Sequence, residues 1–214
     1  MAHRAPVTVD DGVWVVTAAI AGQAPSAHPD DQRRASALPE RRAREFLAGR
    51  GLLRGLLATV CPTLADATIA ADALGKPWLT GRPDIGISVS HSGCQVAAAV
   101  APGRALGVDL QHPAASLTPG FARRLLHGHA ARLDGLPPAR AAEEVAWVWT
   151  AQEACAKASG EGIAGRPWEI DIPPGARCGQ WRGYRWVSLR GRSATPLSCA
   201  FAPATMDDIR RRIR

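Results

Sequence analysis

The stretch from Trp149 to Lys157 carries the most chemistry in this chain. Laid on a helix, Trp149, Glu153 and Lys157 fall at i, i+4 and i+8 and share one face. An aromatic ring, a carboxylate and an ammonium in a row could serve a metal ion and a phosphate. The same spacing also describes an ordinary amphipathic helix with one surface Glu–Lys pair. Lysine usage separates the two readings. The chain has two lysines, Lys76 and Lys157, against 24 arginines. In such a chain, lysine marks places where a compact, flexible point charge suits a phosphate.

A second stretch runs from Gly107 to Gln111. Asp109 and Gln111 lie two apart on an expected strand, so both project from one sheet face. Asp109 sits among apolar neighbours, where a carboxylate is costly to bury unless paired, hydrogen-bonded or bound to a metal. A strand-end aspartate at a turn is the plainer alternative. If Asp109 meets Glu153, two carboxylates and the Gln111 carbonyl make an all-oxygen site. Mg²⁺ suits it, with Mn²⁺ as an alternative, the remaining ligands coming from water and a pyrophosphate. No His/Cys cluster calls for zinc.

Three other patterns fail on inspection. The glycines from Gly160 to Gly165 spell a dinucleotide fingerprint but follow a helix rather than a strand, and Arg166 and Pro167 stand where the phosphate-binding helix would begin. Gly160 reads instead as a helix cap. Gly75 and Lys76 are not a phosphate-binding loop of the Walker kind, because Pro77 replaces the magnesium-binding hydroxyl. Ser88 and Ser90 lack the closing glycine of a nucleophile elbow. His91 fits a phosphate contact better than a general base.

The elements that position these residues follow from pattern. Strands are expected at 13–20, 85–89, 96–100, 105–110, 168–172, 184–189 and 197–201. Helices are expected at 39–60, 119–129 and 140–159, with loops at 22–31 and around Lys76. In the first helix Phe46, Leu53, Leu56 and Leu57 form the apolar stripe, leaving Arg42, Arg50 and Arg54 on the surface. This order predicts an α+β chain of two similarly built α/β halves, 1–103 and 104–214, related by a pseudo-twofold and packed into one compact monomer.

Bulk properties narrow the partner. At 214 residues the chain can bury a substantial core. A net charge of +7 points to an anionic partner. Part of that charge is the terminal run Arg210, Arg211, Arg212 and Arg214, which reads as a solvated end. The five cysteines, an odd number without metal-finger spacing, read as reduced and mostly buried thiols of a cytoplasmic protein. No signal peptide or membrane span is indicated.

Together these stretches resemble the 4′-phosphopantetheinyl transferases of the surfactin-synthetase-activating type. The family signature pairs a strand ending Gly-Val/Ile-Asp with a helix reading Trp-x-x-Lys-Glu-Ala/Ser-x-x-Lys. Here these are Leu106 to Asp109 and Trp149 to Lys157. Gly75 to Pro77, Ser88 to Gly93, and the helix around Phe46 and Arg50 resemble upstream motifs in the right order. The resemblance covers 38–172. It implies Mg²⁺-dependent transfer of 4′-phosphopantetheine from coenzyme A to a serine of an apo acyl or peptidyl carrier protein, releasing adenosine 3′,5′-bisphosphate. Such carriers are usually acidic and serve fatty-acid, polyketide or nonribosomal-peptide synthesis.

By the same resemblance Asp109, Glu153 and Gln111 hold the metal, Glu153 is the base, and Lys157 stabilises phosphate charge. Arg50, Lys76, Pro77, Ser90, His91 and Lys157 approach coenzyme A. Two positions depart from the pattern. Gln111 stands where the family often has Glu, and Gln152 where it often has Lys, which removes a cation expected near the phosphates. A relative that binds coenzyme A or a carrier without turnover, and a nucleic-acid binder using the basic charge, are the competing classes. No nucleic-acid motif supports the second, and the arginines are not interleaved with aromatics.

Overall fold

The computed structural model describes residues 5–205; the terminal arginines considered above lie outside the described residues. The structure is mixed helix and sheet. Before Gly103, strands β1 (Val7–Asp10), β2 (Val13–Ala19), β5 (Ile85–Ser92) and β6 (Gln95–Pro102) form an antiparallel sheet in the order β1-β2-β6-β5. After it, β7 (Arg104–Leu110), β8 (Cys178–Trp181), β9 (Tyr184–Ser188) and β10 (Leu197–Pro203) form a second, in the order β7-β10-β9-β8. A small hairpin, β3 (Ile69–Ala71) with β4 (Pro77–Leu79), carries Lys76 in its connection.

Four layers result. Helix α2 (Glu40–Val60) packs Leu53, Leu56 and Leu57 against Val96, Ala98 and Val100 of β6. The alternate residues Ala97, Ala99 and Ala101 face Leu106, Val108 and Leu110 of β7 across the space between the sheets. Beyond the second sheet lies α4 (Pro138–Ser159), joined by the shorter α3 (Pro119–Leu126). A strand covered on both faces has no polar side, which is why β6 reads as an unbroken run of Ala and Val. The odd-numbered face of β7, Ala105, Gly107 and Asp109, is left for α4.

Four expectations need correction. The stretch 168–172 is not a strand but a 3₁₀ turn (Pro167–Glu169) followed by irregular chain. Its buried Ile170 and Ile172 alternate because they fill the core beneath α4. The loop expected at 22–31 ends in a helix, α1 (Pro29–Ala35), which starts with Pro29, Asp30 and Asp31 and ends with Arg33 and Arg34, as the helix dipole favours. Only Cys155 and Cys199 are buried; Cys61 is half-buried, and Cys94 and Cys178 are exposed. Lastly, Arg50 and Arg54 are not on the surface of α2 but are 7% and 9% exposed. Both converge on Asp31, Arg54 at 2.7 Å and Arg50 at 3.7 Å, and Ser26 donates to the same carboxylate at 2.7 Å.

Candidate active site

Strand β7 and helix α4 meet at Gly107. A Cβ there would stand 2.1 Å from the Ala154 carbonyl oxygen and 2.4 Å from the Ala158 amide nitrogen, so glycine lets the helix backbone rest on the strand. This contact sets Asp109 against the helix face bearing Glu153 and Lys157. The Asp109 carboxylate accepts the Lys157 ammonium at 2.5 Å and the Ser90 hydroxyl at 2.8 Å, and Lys157 also reaches Ser90 Oγ at 3.2 Å. Burial, and then the negative charge of Asp109, push the Glu153 carboxyl above its usual range, with Lys157 pulling the other way.

Lys157 pairs with Asp109 while Glu153 feels the charge of both; a hard cation would relieve the excess negative charge. Among the described residues no group of three or more His, Cys, Asp or Glu could hold a metal ion; the candidate donors for one are Asp109, Glu153 and the amide of Gln111. Gln111 donates its side-chain nitrogen to the His112 carbonyl at 2.9 Å. Of its two polar ends, only the oxygen could serve a cation. Two carboxylates, an amide oxygen and open positions fit Mg²⁺, which keeps waters and takes substrate phosphates.

Both lysines converge. A cavity of about 270 Å³ is lined by Lys76, Pro77, Val89, Glu153, Lys157 and Gly160. Lys76 donates to the Ala158 carbonyl at the C-terminus of α4, where unpaired carbonyls favour a cation. Gly160, at φ 78°, ends that helix as its sequence predicted. A second cavity of about 300 Å³ adjoins the first through Gly75, Pro77 and Val89 and is lined by Arg42, Phe46, Arg50 and His91. Two larger hollows, about 570 and 680 Å³, lie elsewhere, lined largely by small uncharged side chains. Size does not choose the site here; charge does.

In the second cavity Arg50 stacks over Phe46 at 5.1 Å, and its buried Nη1 has no hydrogen-bond partner. Burial, against the pull of Asp31 and with the repulsion of Arg34 and Arg54, brings its pKa down to about 10. It stays charged at neutral pH and is under-paired. His91 lies 3.2 Å from Arg42 and 3.8 Å from Glu45. Burial pushes it below its usual value; Glu45 opposes this, and Arg42, Lys157 and Arg41 add to it. The imidazole is neutral at neutral pH, a hydrogen-bonding group rather than a fixed cation.

Two sequence readings shift. Gln152 is fully buried and donates to the carbonyls of Leu125 and Ile170 at 3.0 and 2.8 Å, tying α3 and the 170 segment to α4. Its side chain is directed to α3 and the 170 segment rather than to the cavity of Glu153 and Lys157, so Gln152 stands outside that cavity's charge set. Arg42, exposed as expected, also lines the second cavity, together with Glu45, which was not among the expected site residues. The spacing of Arg42, Phe46 and Arg50 at i, i+4 and i+8 was the signal that could have found this face.

The 4′-phosphopantetheinyl transferase superfamily model matches residues 105–190, the part that holds Asp109, Glu153 and Lys157. The chain is also 37% identical over 140 residues to the L-aminoadipate-semialdehyde dehydrogenase-phosphopantetheinyl transferase of Eremothecium gossypii. That match covers 61% of this chain and 51% of the fungal protein, so the chain spans about half the length of that relative. Residues 105–190, which include strand β7, helix α4 and strand β9, are thus similar to the 4′-phosphopantetheinyl transferase superfamily.

Proposed function

We propose that the protein transfers 4′-phosphopantetheine from coenzyme A to a serine hydroxyl of an apo carrier protein and releases adenosine 3′,5′-bisphosphate. One observation carries this reading: the two lysines of an arginine-rich chain line one cavity with Glu153, beside Asp109. In the reaction the serine oxygen forms a bond to the phosphorus bearing pantetheine, and the bond from that phosphorus to the bridging oxygen breaks. Glu153, whose proton affinity is raised, takes the serine proton directly or through a water. Lys157 and Lys76 face the pyrophosphate and offset its charge. Asp109 and Glu153, with Gln111, would hold Mg²⁺, which would supply neutralisation of charge on the phosphoryl oxygens.

The second cavity suits the nucleotide end of coenzyme A. Under-paired Arg50, with Arg42 and His91, would bind the 3′-phosphate, a reading supported by their shared cavity and the unpartnered Arg50 Nη1. The net charge of +7 favours both the polyanionic coenzyme and an acidic acyl or peptidyl carrier. The reading places the chain with the surfactin-synthetase-activating type, as a cytoplasmic monomer whose halves, 1–103 and 104–214, are pseudo-twofold partners. Each half carries a four-stranded sheet and a long helix, which supports that division. No helix of the described residues is long and apolar enough to cross a membrane.

The test is incubation with coenzyme A, Mg²⁺ and a panel of apo carriers from fatty-acid, polyketide and nonribosomal-peptide systems, followed by intact-protein mass spectrometry. At least one carrier is expected to gain a single phosphopantetheine, and Glu153→Ala is expected to lose at least about 3 kcal/mol of transition-state stabilisation, more than a hundredfold in rate. Near-normal modification by Glu153→Ala, with contaminating transferase excluded, would sink the mechanism.

A further inference from the structure

Strands β5 and β7 belong to different sheets and form no backbone ladder with each other. They nevertheless run side by side. The hydroxyl of Ser88 accepts the amide of Val108 at 3.0 Å, Ser90 accepts Leu110 at 3.2 Å, and Ser92 accepts His112 at 2.9 Å. Each rung advances both strands by two residues, so the strands are parallel and in constant register. The three serines occupy one face of β5, while Ile85, Ile87 and Val89 on the other face pack toward α2. At the start of the ladder Gly86 allows the close approach: a Cβ there would stand 2.2 Å from the Arg104 carbonyl oxygen.

The ladder answers an accounting problem. The amides of alternate β7 residues point toward β10, as the Gln111 amide does in bonding Pro196. Those of Val108, Leu110 and His112 point the other way, off the sheet edge, and Val108 and Leu110 are essentially buried. Buried edge amides need acceptors. With no neighbouring backbone in register, the serine oxygens supply them.

Ser90 does more than its neighbours. A hydroxyl has one proton to give and two lone pairs to receive. Ser90 gives its proton to Asp109 and receives the Leu110 amide and the Lys157 ammonium. Its hydrogen-bonding capacity is full, and the residue is 5% exposed. Nothing remains with which to bind a phosphate.

We infer that Ser88, Ser90 and Ser92 form a hydroxyl ladder that fixes the register between the two sheets, and that Ser90 is a positioning residue for Asp109 rather than a coenzyme A contact. The first sheet thereby sets the orientation of a carboxylate carried by the second. What Asp109 is oriented toward rests on the transferase reading above; the ladder does not.

Two measurements test this. Amide hydrogen exchange reads the ladder alone: Ser90→Ala is expected to speed exchange at Leu110, and Ser88→Ala at Val108, each locally. Unchanged exchange at both amides would overturn the ladder whatever the protein's activity. Binding reads the role of Ser90, with Mn²⁺ titrated by paramagnetic resonance and coenzyme A by calorimetry in EDTA. Ser90→Ala is expected to weaken Mn²⁺ binding about tenfold, equivalent to about 1.4 kcal/mol, and to leave coenzyme A affinity within about twofold. Ser88→Ala is expected to leave Mn²⁺ affinity within about twofold. A loss of coenzyme A affinity with Mn²⁺ binding intact would make Ser90 a ligand contact and overturn its positioning role. If Ser90→Ala does not fold, Ser90→Cys, close in shape but a weak donor and acceptor, takes its place with the same expectations. Wild-type protein that binds neither probe would defeat the transferase reading, and the exchange result would still decide the ladder.

Discussion

Gly107 and Ala154 are in backbone contact: the strand carrying Asp109 touches the helix carrying Glu153 and Lys157 at a point where only a hydrogen atom fits. The position therefore bears directly on the distance between Asp109 and Glu153, the carboxylates proposed to be catalytic. Gly107→Ala must push α4 outward or bend β7, and overpacking of this kind costs about 1–3 kcal/mol. The expected outcome is a lower urea midpoint together with an activity loss larger than the lost stability explains, because Asp109 and Glu153 separate. Urea unfolding and carrier modification under folding conditions check it; a variant unchanged in both would show that the contact does not set the site.

Asp31 bears on stability rather than chemistry. Burial raises its carboxyl and is the largest single influence, but the hydrogen bonds from Arg54 and Ser26 and the charges of Arg54 and Arg50 together hold it below its usual value. A lowered folded value means the folded state binds fewer protons than the unfolded chain. The resulting stability is fully present above the ordinary carboxylate value of 3.8 and is lost as pH falls through the lowered one. Asp31→Asn is expected to cost about 3–5 kcal/mol at neutral pH, since two buried guanidiniums lose their counter-charge. Its urea midpoint should also fall less steeply below pH 4 than wild type. Parallel stability curves for the two proteins would remove Asp31 from the acid-sensitive set.

How much of this could be read from the chain alone varies by residue. Asp109, Glu153 and Lys157 were legible because each sits at a fixed spacing on a strand or helix whose periodicity is clear. The buried role of Arg50 was not, since arginine on a helix is ordinarily solvated and its partner Asp31 lies on another helix. The ladder of Ser88, Ser90 and Ser92 was equally hidden: alternating serines declare a face, but their acceptor role exists only once β7 lies beside them. The short strands β1, β3, β4 and β8 escaped for a related reason, because three or four residues carry little period of their own and are set by their partners.

Arg50 is proposed to serve a part of coenzyme A remote from the reacting phosphorus. Its replacement by alanine is expected to weaken binding more than the chemical step, and to hurt coenzyme A more than its 3′-dephospho form. The ratio of the two affinities is the readout, since a general loosening of the buried cluster would weaken both ligands alike. Equal losses for the two ligands would take Arg50 out of the 3′-phosphate site.

Gln111 is where this chain departs from the family pattern, and its geometry makes the consequence specific. Its side-chain nitrogen is committed to the His112 carbonyl, which leaves the neutral amide oxygen as the group that could serve a cation. A neutral amide oxygen attracts a hard dication less than a carboxylate does, and Mg²⁺ sites do with one or two carboxylates plus waters and substrate phosphates. Gln111→Glu is therefore expected to keep activity and to lower the Mg²⁺ concentration for half-maximal rate. The lost bond to His112 offsets part of the gain, so the shift should stay within about tenfold, or 1.4 kcal/mol. Gln111→Ala is expected to be far milder than Asp109→Ala, because a water can fill the vacated position whereas Asp109 also anchors Lys157 and Ser90. A Mg²⁺ titration of carrier modification for the three variants decides it. If Gln111→Ala proves as inactive as Asp109→Ala, the glutamine is an essential ligand in its own right and the weak-ligand account is wrong.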